Sequence, residues 1–264
     1  MEIVHRISDH IDSKLKINLE EIGIVVEEGL STFEISESDN RWNIVKSLIE
    51  QNKMFEFVYT KFSKNEIFDS KFLVIEPEWH LGYPMPDEDF GYLKLTYSLD
   101  EHCFKCGVGK RQRSPFKMKN EPNWGNKNML QLNWIFDEYF IKPEIYDKIF
   151  KPLGVQKLPV LHYSSGKELK TVVQIKIPNN SEVSLYKNDL PYEKCNECNR
   201  IKYLPHTRGM FPRIIKVKGN YIFKTKENFG SGSRSYKEII INQKLGRIFI
   251  ENEVKGIHFK PIIS

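Results

Sequence analysis

The chain has 264 residues, of which 40% are hydrophobic and 28% charged. That length suits one large domain or two closely packed ones, and the balance excludes a disordered or collagen-like chain. No run approaches the roughly 18 apolar residues of a membrane-spanning helix. Met1 leads through Glu2, His5 and Asp9 with no long apolar stretch, which argues against a secretory signal and for a cytoplasmic location.

The net charge of +5 is unevenly spread. Residues 1–100 carry 20 acidic and 10 basic side chains, whereas residues 201–264 carry 13 basic and 4 acidic ones. Such asymmetry either draws parts of the chain together or offers charged faces to a partner.

Ile7, Ile11, Leu15, Leu19 and Ile22 recur at three- and four-residue steps and predict a first helix, with Ser8 as its cap. Ile24–Val26 reads as a short strand after Gly23. Asp39 is suited to cap a second helix with Trp42, Val45 and Ile49 on its apolar side. Phe55–Tyr59 and Phe72–Ile75 have strand composition. Pro77–Asp89, rich in proline, glycine and acid, reads as a loop. Leu93, Leu95 and Tyr97 alternate with polar residues and predict a strand that runs to Cys103. Phe116 and Met118 predict its partner, in a ribbon with the first cysteine pair at its tip.

Leu130, Leu132, Trp134 and Phe136 also alternate, and Pro143 opens a short helix to about Phe150. Leu158–Tyr163 and Thr171–Ile177 read as strands joined by a turn at Ser164–Gly166. Ile214–Val217 and Tyr221–Phe223 flank Gly219–Asn220 as a hairpin. Gly230–Ser235 reads as a flexible connection into a helix at Tyr236–Gln243. Leu245–Val254 is helical, Gly256 ends it, and Ile257 and Phe259 belong to a terminal strand. The expected fold is α+β, with a mixed or mainly antiparallel sheet, short peripheral helices and a four-cysteine zinc knuckle. An N-terminal α/β portion over 1–90 is expected to pack on a sheet-rich portion over 91–264, in one continuous domain or two.

All four cysteines fall in two C-x-x-C pairs, Cys103/Cys106 and Cys195/Cys198. A C-x-x-C turn points two sulfurs at one ion, and two such turns supply the four thiolates of a closed tetrahedral zinc site. The 88 residues between the pairs exceed a compact zinc finger, so the intervening sheet must return both turns to one place. Gly107 and Gly109 permit the first turn, and Asn199 follows the second. Lys105, Lys110, Arg111, Lys194 and Arg200 are available to screen the thiolate charge. Metal-free thiols, redox chemistry and an iron–sulfur centre are the alternatives; redox chemistry lacks its strand–CxxC–helix context.

Arg111, Arg113, Lys117 and Lys119 sit near Phe116, and Lys202, Arg208, Arg213, Lys216 and Lys218 lie among Tyr203, Phe211 and Tyr221. Basic and aromatic residues so mixed can grip nucleic acid, although no recognition helix accompanies them. Asp87, Glu88 and Asp89 form an acidic cluster able to attract a cation, but adjacent acids on a loop specify no metal cage, and the cluster reads as a solvated or partner-facing loop. Gly230–Ser233 lacks the spacing and lysine of a phosphate loop. The histidines form no metal motif, and Ser164 and Ser165 lie in no nucleophile motif. No catalytic residue is assigned.

Cys103-Phe104-Lys105-Cys106-Gly107 and Cys195-Asn196-Glu197-Cys198 resemble the bacterial double-CXXCG proteins. Leu132-Asn133-Trp134, followed by Phe140 and Pro143, and the ending Gly256–Ile262 extend the resemblance loosely across residues 90–264. Asn199 departs from it, standing where the family pattern has glycine; asparagine also tolerates the left-handed conformation such a turn needs. The family is similar in appearance to immunity proteins of polymorphic toxin systems. The resemblance implies a structural zinc ion, no catalytic site, and binding of a cognate toxin. Asp87–Asp89 and the Arg208–Lys218 region are the candidate contact patches.

Overall fold

The structure, a computed structural model, describes residues 1–179, 183–216 and 221–264. It divides into one unit of Met1–Glu66 with His206–Met210 and another of Ile67–Pro205 with Phe211–Ser264.

In the first unit, β1 (Glu2–Ile11), α1 (Ser13–Glu21), β2 (Gly29–Ser36), α2 (Trp42–Asn52) and β3 (Glu56–Lys61) follow in order. The sheet is antiparallel in the order β2-β1-β3, with Val4 opposite both Ser36 and Tyr59. Residues predicted as one long helix are therefore a strand and then a helix. A step of four fits both periods: Ile7 and Ile11 share one face of a strand, as Leu15 and Leu19 share one face of a helix. All four enter one core with Val45 and Ile49. Asp12, not Ser8, caps α1, accepting a hydrogen bond from the Leu15 N–H at 2.7 Å. Ile24 and Val26 are buried but join no strand. Asp39 accepts from the Arg41 N–H at 2.9 Å, just ahead of α2, while Arg41 itself stands at the cap position.

The link to the second unit runs through α3 (Lys64–Asp69). Beyond it come β4 (Phe72–Pro77), α4 (Tyr92–Thr96), β5 (Tyr97–Ser98), β6 (Arg111–Gln112), β7 (Lys117–Met118), β8 (Met129–Leu130) and β9 (Phe140–Ile141). Next are α5 (Pro143–Ile145), which continues as a wider turn to Phe150, β10 (Lys157–His162), β11 (Glu168–Ile175), β12 (Ser184–Leu185), β13 (Tyr192–Lys194) and β14 (Ile201–Tyr203). The last are β15 (Ile214–Lys216), β16 (Ile222–Lys224), β17 (Ile239–Asn242), α6 (Gln243–Glu251) and β18 (Ile257–Pro261).

A four-stranded antiparallel sheet, β16-β17-β4-β18, has both faces buried. Leu73, Ile75, Ile239 and Ile241 face a core that includes Leu245 and Phe249 of α6 and Ile141 and Ile175 of the neighbouring sheet. Val74 and Ile240 face a second core with Phe211, Phe223 and Phe229. The five-stranded sheet, β7-β10-β11-β9-β8, is antiparallel except for the β7–β10 pair, and its other face holds Phe116, Phe140 and Val172. The chain is thus α+β, with mixed and antiparallel sheets and short peripheral helices.

Three further expectations change. Leu93–Thr96 is helical, because Tyr92 and Thr96, four apart, are the buried pair, while Leu95 is 46% exposed. Tyr236–Gln243 is mainly strand: Ile239–Ile241 is apolar on both faces, as a central strand must be. Of the alternation at 130–136 only Leu130 lies in a strand, β8, and Trp134 takes a φ of 67° where the chain turns. The hairpin expected from Ile214–Val217 and Tyr221–Phe223 does not form among the described residues, because β15 pairs with β12 and β16 with β17 in a different sheet; its turn at Gly219–Asn220 lies outside them.

Glu238, beside β17, is pushed by burial up to about 7, with Glu76 adding to the shift and Lys260 opposing it. A carboxyl raised above its ordinary 4.5 costs stability as pH climbs through the interval between the two values. Glu238→Gln should therefore stabilise the chain at pH 8, by on the order of 1–3 kcal/mol, and the gain should shrink by pH 5. Urea midpoints of the two proteins across that range measure it.

Candidate metal centre

Each cysteine pair sits at the tip of a two-stranded ribbon. β5 pairs with β6, Tyr97 opposite Gln112, and encloses Cys103 and Cys106. The return strand is therefore Arg111–Gln112 and not Phe116–Met118, since β7 pairs with β10 instead. β13 pairs with β14, Tyr192 opposite Tyr203, and encloses Cys195 and Cys198.

The two tips repeat one backbone design. Cys103 N–H donates to Val108 O at 2.9 Å and Gly107 N–H to Cys103 O at 2.7 Å. Cys195 N–H donates to Arg200 O at 3.0 Å and Asn199 N–H to Cys195 O at 2.9 Å. Gly107 and Asn199 hold equivalent left-handed positions, with φ of 77° and 58°. They are not interchangeable, because a Cβ at Gly107 would stand 2.2 Å from the Ser233 carbonyl oxygen. Gly109 is constrained too: a Cβ there would lie 2.0 Å from Glu101 O.

The turns bring all four sulfurs within 4.8 Å of one another. The close approaches run between the ribbons, Cys103 to Cys195 at 3.8 Å and Cys106 to Cys198 at 3.6 Å. These are free thiols, far beyond the ~2.05 Å of a disulfide. A tetrahedral ion with ~2.3 Å bonds to sulfur needs ligand separations of about 3.8 Å. The cluster therefore fits one metal ion. With four sulfur donors such a site is closed and offers no open position for a substrate.

Burial pushes the Cys106 thiol up to about 12, against a hydrogen bond from the Val108 N–H and with the neighbouring sulfurs adding to the rise. The Cys198 and Glu197 N–H groups pull Cys195 down to about 7. Deprotonating four adjacent thiols is thus costly without a cation, and an ion between them removes that cost.

The second ribbon also ties the first in place. Arg200 donates to Glu101 O at 2.6 Å and Val108 O at 3.0 Å. Lys202, only 2% exposed, donates to Cys106 O at 3.1 Å, Gly232 O at 2.6 Å and Arg234 O at 3.0 Å. Lys105 and Glu197 pair across the ribbons at 3.5 Å. From sequence, Lys202 reads as part of a basic and aromatic surface; its place opposite Glu193, two register steps from the Cys195–Arg200 pair, is the signal that it belongs to the site.

The other predicted residues lie elsewhere. Asp87, Glu88 and Asp89 remain on a loop, interrupted by a short 3-10 turn over Glu88–Phe90, and none is in an ion pair among the described residues. Beside them, Tyr83 and Phe90 are 43% and 51% exposed and pack on Trp134 with ring centroids 4.5 and 4.7 Å away. Sequence periodicity, which put Trp134 in a strand, misses this aromatic patch.

The Arg208–Lys218 stretch is split between the units. Arg208 belongs to the first, where it pairs with Glu37, itself hydrogen-bonded to the buried His5 at 2.9 Å. Arg213 belongs to the second unit, exposed, with its guanidinium 5.8 Å from the Tyr186 ring centroid. Lys216 ends β15, opposite Ser184, and Lys218 lies outside the described residues. Of the aromatics that neighbour this basic sequence, Phe116 and Phe211 are fully buried.

No protein-family model matches the chain, and no curated protein matches it. Among the described residues, no helix is long and apolar enough to cross a membrane.

The inequality of the two turns is testable. Gly107→Ala should lose bound metal to a chelator and lower the unfolding temperature by about 5 °C or more. Asn199→Gly should keep both within error of the wild type. Metal content after dialysis and calorimetry read the outcome; equal behaviour of the two variants contradicts the steric account.

Proposed function

We propose that the chain is a zinc-stabilised protein-binding module, specifically a cytoplasmic immunity protein that neutralises a bacterial toxin by binding it. Zinc is the ion of choice for four thiolates in a closed tetrahedron, and it adds stability without redox chemistry. The resemblance to double-CXXCG proteins supplies the toxin as partner.

The observation that carries the binding role is the patch formed by Asp87, Glu88, Asp89, Tyr83, Phe90 and Trp134. Half-exposed aromatics at the centre of a charged rim are what binding hot spots are made of. Carboxylates with no counter-ion among the described residues suit steering of a basic partner, such as a nuclease. The nucleic-acid reading is weaker: Phe116 and Phe211 are inaccessible to bases, and Lys202 is committed to three carbonyls.

Co-expression with the product of a neighbouring toxin gene should protect a sensitive cell. Phe90→Ala should weaken the complex at least tenfold or so, and Asp87→Lys with Asp89→Lys should mainly slow association, with metal content unchanged in both. A complex whose affinity is indifferent to all three substitutions would move the interface elsewhere. Absence of protection against any neighbouring gene product would remove the immunity role.

A further inference from the structure

Beside the knuckle lies a cavity of about 660 Å³, walled on one side by Gly107, Val108, Gly109 and Arg200 from the two cysteine ribbons. Its size is that of a small-molecule site. Seven lysine and arginine side chains line it against three carboxylates.

The carboxylates are already engaged. Glu101 pairs with Arg111 at 2.6 Å. Glu138, buried, is paired with Lys224, and Asp137 lies 4.0 Å from the same ammonium. Burial alone would depress Lys224; the two carboxylates overcome that and hold it above the ordinary lysine value. Gln174 donates to Glu138 at 3.0 Å and exchanges hydrogen bonds with Gln112 at 2.7 and 2.9 Å, so this wall is internally satisfied.

Lys110 and Lys237 are different. Both are half-buried and line the cavity, yet neither is in an ion pair or hydrogen bond among the described residues. Both are depressed first by burial, both feel Lys224 as a repelling charge, and both are only partly relieved, by Asp137 and then by Glu138 at Lys110 and Glu227 at Lys237. They therefore share one neighbourhood in which a negative charge is missing. Lys110 Nζ lies 5.2 Å from the Tyr97 ring centroid. The Tyr97 hydroxyl is buried, faces the same cavity, and has no hydrogen-bond partner among the described residues. Burial keeps that phenol neutral, hence a donor.

Two uncompensated ammonium groups and an unused hydroxyl suit a multivalent oxyanion, and Leu158, Ile177 and Tyr236 supply apolar wall for an organic part. We propose that this cavity binds a nucleotide-sized organic phosphate, with the phosphate held by Lys110, Lys237 and the Tyr97 hydroxyl. This site is separate from the loop patch and does not depend on the toxin-binding role.

Calorimetric titration of the metal-loaded full chain with ADP, GDP, CDP, UDP and pyrophosphate tests the proposal, with a single-stranded oligonucleotide as a further arm. At least one nucleoside diphosphate should bind with one-to-one stoichiometry, more weakly as salt rises. Lys110→Gln and Lys237→Gln should each raise its Kd about tenfold, while Lys148→Gln, an exposed lysine outside the cavity, should not. If one variant misfolds, judged by metal content and unfolding temperature, the other carries the test. No binding of any diphosphate at millimolar concentration, binding indifferent to the lysines, binding of pyrophosphate alone, or binding of the oligonucleotide alone would each overturn it.

Discussion

Mutual repulsion among four sulfurs is the constraint on which this structure turns. Two ribbons whose cysteine pairs are separated by 88 residues meet tip to tip, with sulfur contacts of 3.6 and 3.8 Å across the join. Thiols at that distance that are to lose their protons need a cation between them. Binding an ion there would be coupled to folding, because neither ribbon alone presents more than two donors. The backbone prepares for it: two turns with the same hydrogen-bond pattern aim the sulfurs inward before any ion is considered.

Charge buried beside the cluster serves the same end. Arg200 and Lys202 follow the second pair by two and four residues, and both reach back to carbonyls of the first turn. A fully buried ammonium is tolerable when several carbonyl oxygens receive it, as Lys202 is received. These contacts fix the ribbons' mutual orientation, while a metal ion held by the four sulfurs would fix their tips. The same junction forms one wall of the cavity, through Gly107, Val108, Gly109 and Arg200.

The cysteine cluster was legible in the sequence because its chemistry needs only residue type and spacing. Asn199 was legible too, since few residues accept its conformation. The helix at 13–21 was half legible: Ile7 and Ile11 fit a helical step while lying on a strand, and only pairing with β2 and β3 decides between them. Ile239–Ile241 defied periodicity because a strand covered on both faces has none to show. The cavity was illegible for a different reason. Lys110, Lys237 and Tyr97 come from separate segments, and their missing counter-charge is a property of what surrounds them, not of any local pattern. The aromatic patch escaped likewise, because Trp134, which alternation assigns to a strand, itself takes a left-handed conformation beyond β8.

X-ray absorption at the zinc edge, on protein purified under reducing conditions with no metal added, tests the central claim most directly. The account predicts one ion per chain with four sulfur neighbours at ~2.3 Å and no nitrogen or oxygen in that shell. A mixed shell, or metal-free protein that keeps all four thiols titratable and unfolds at the same temperature, would contradict it.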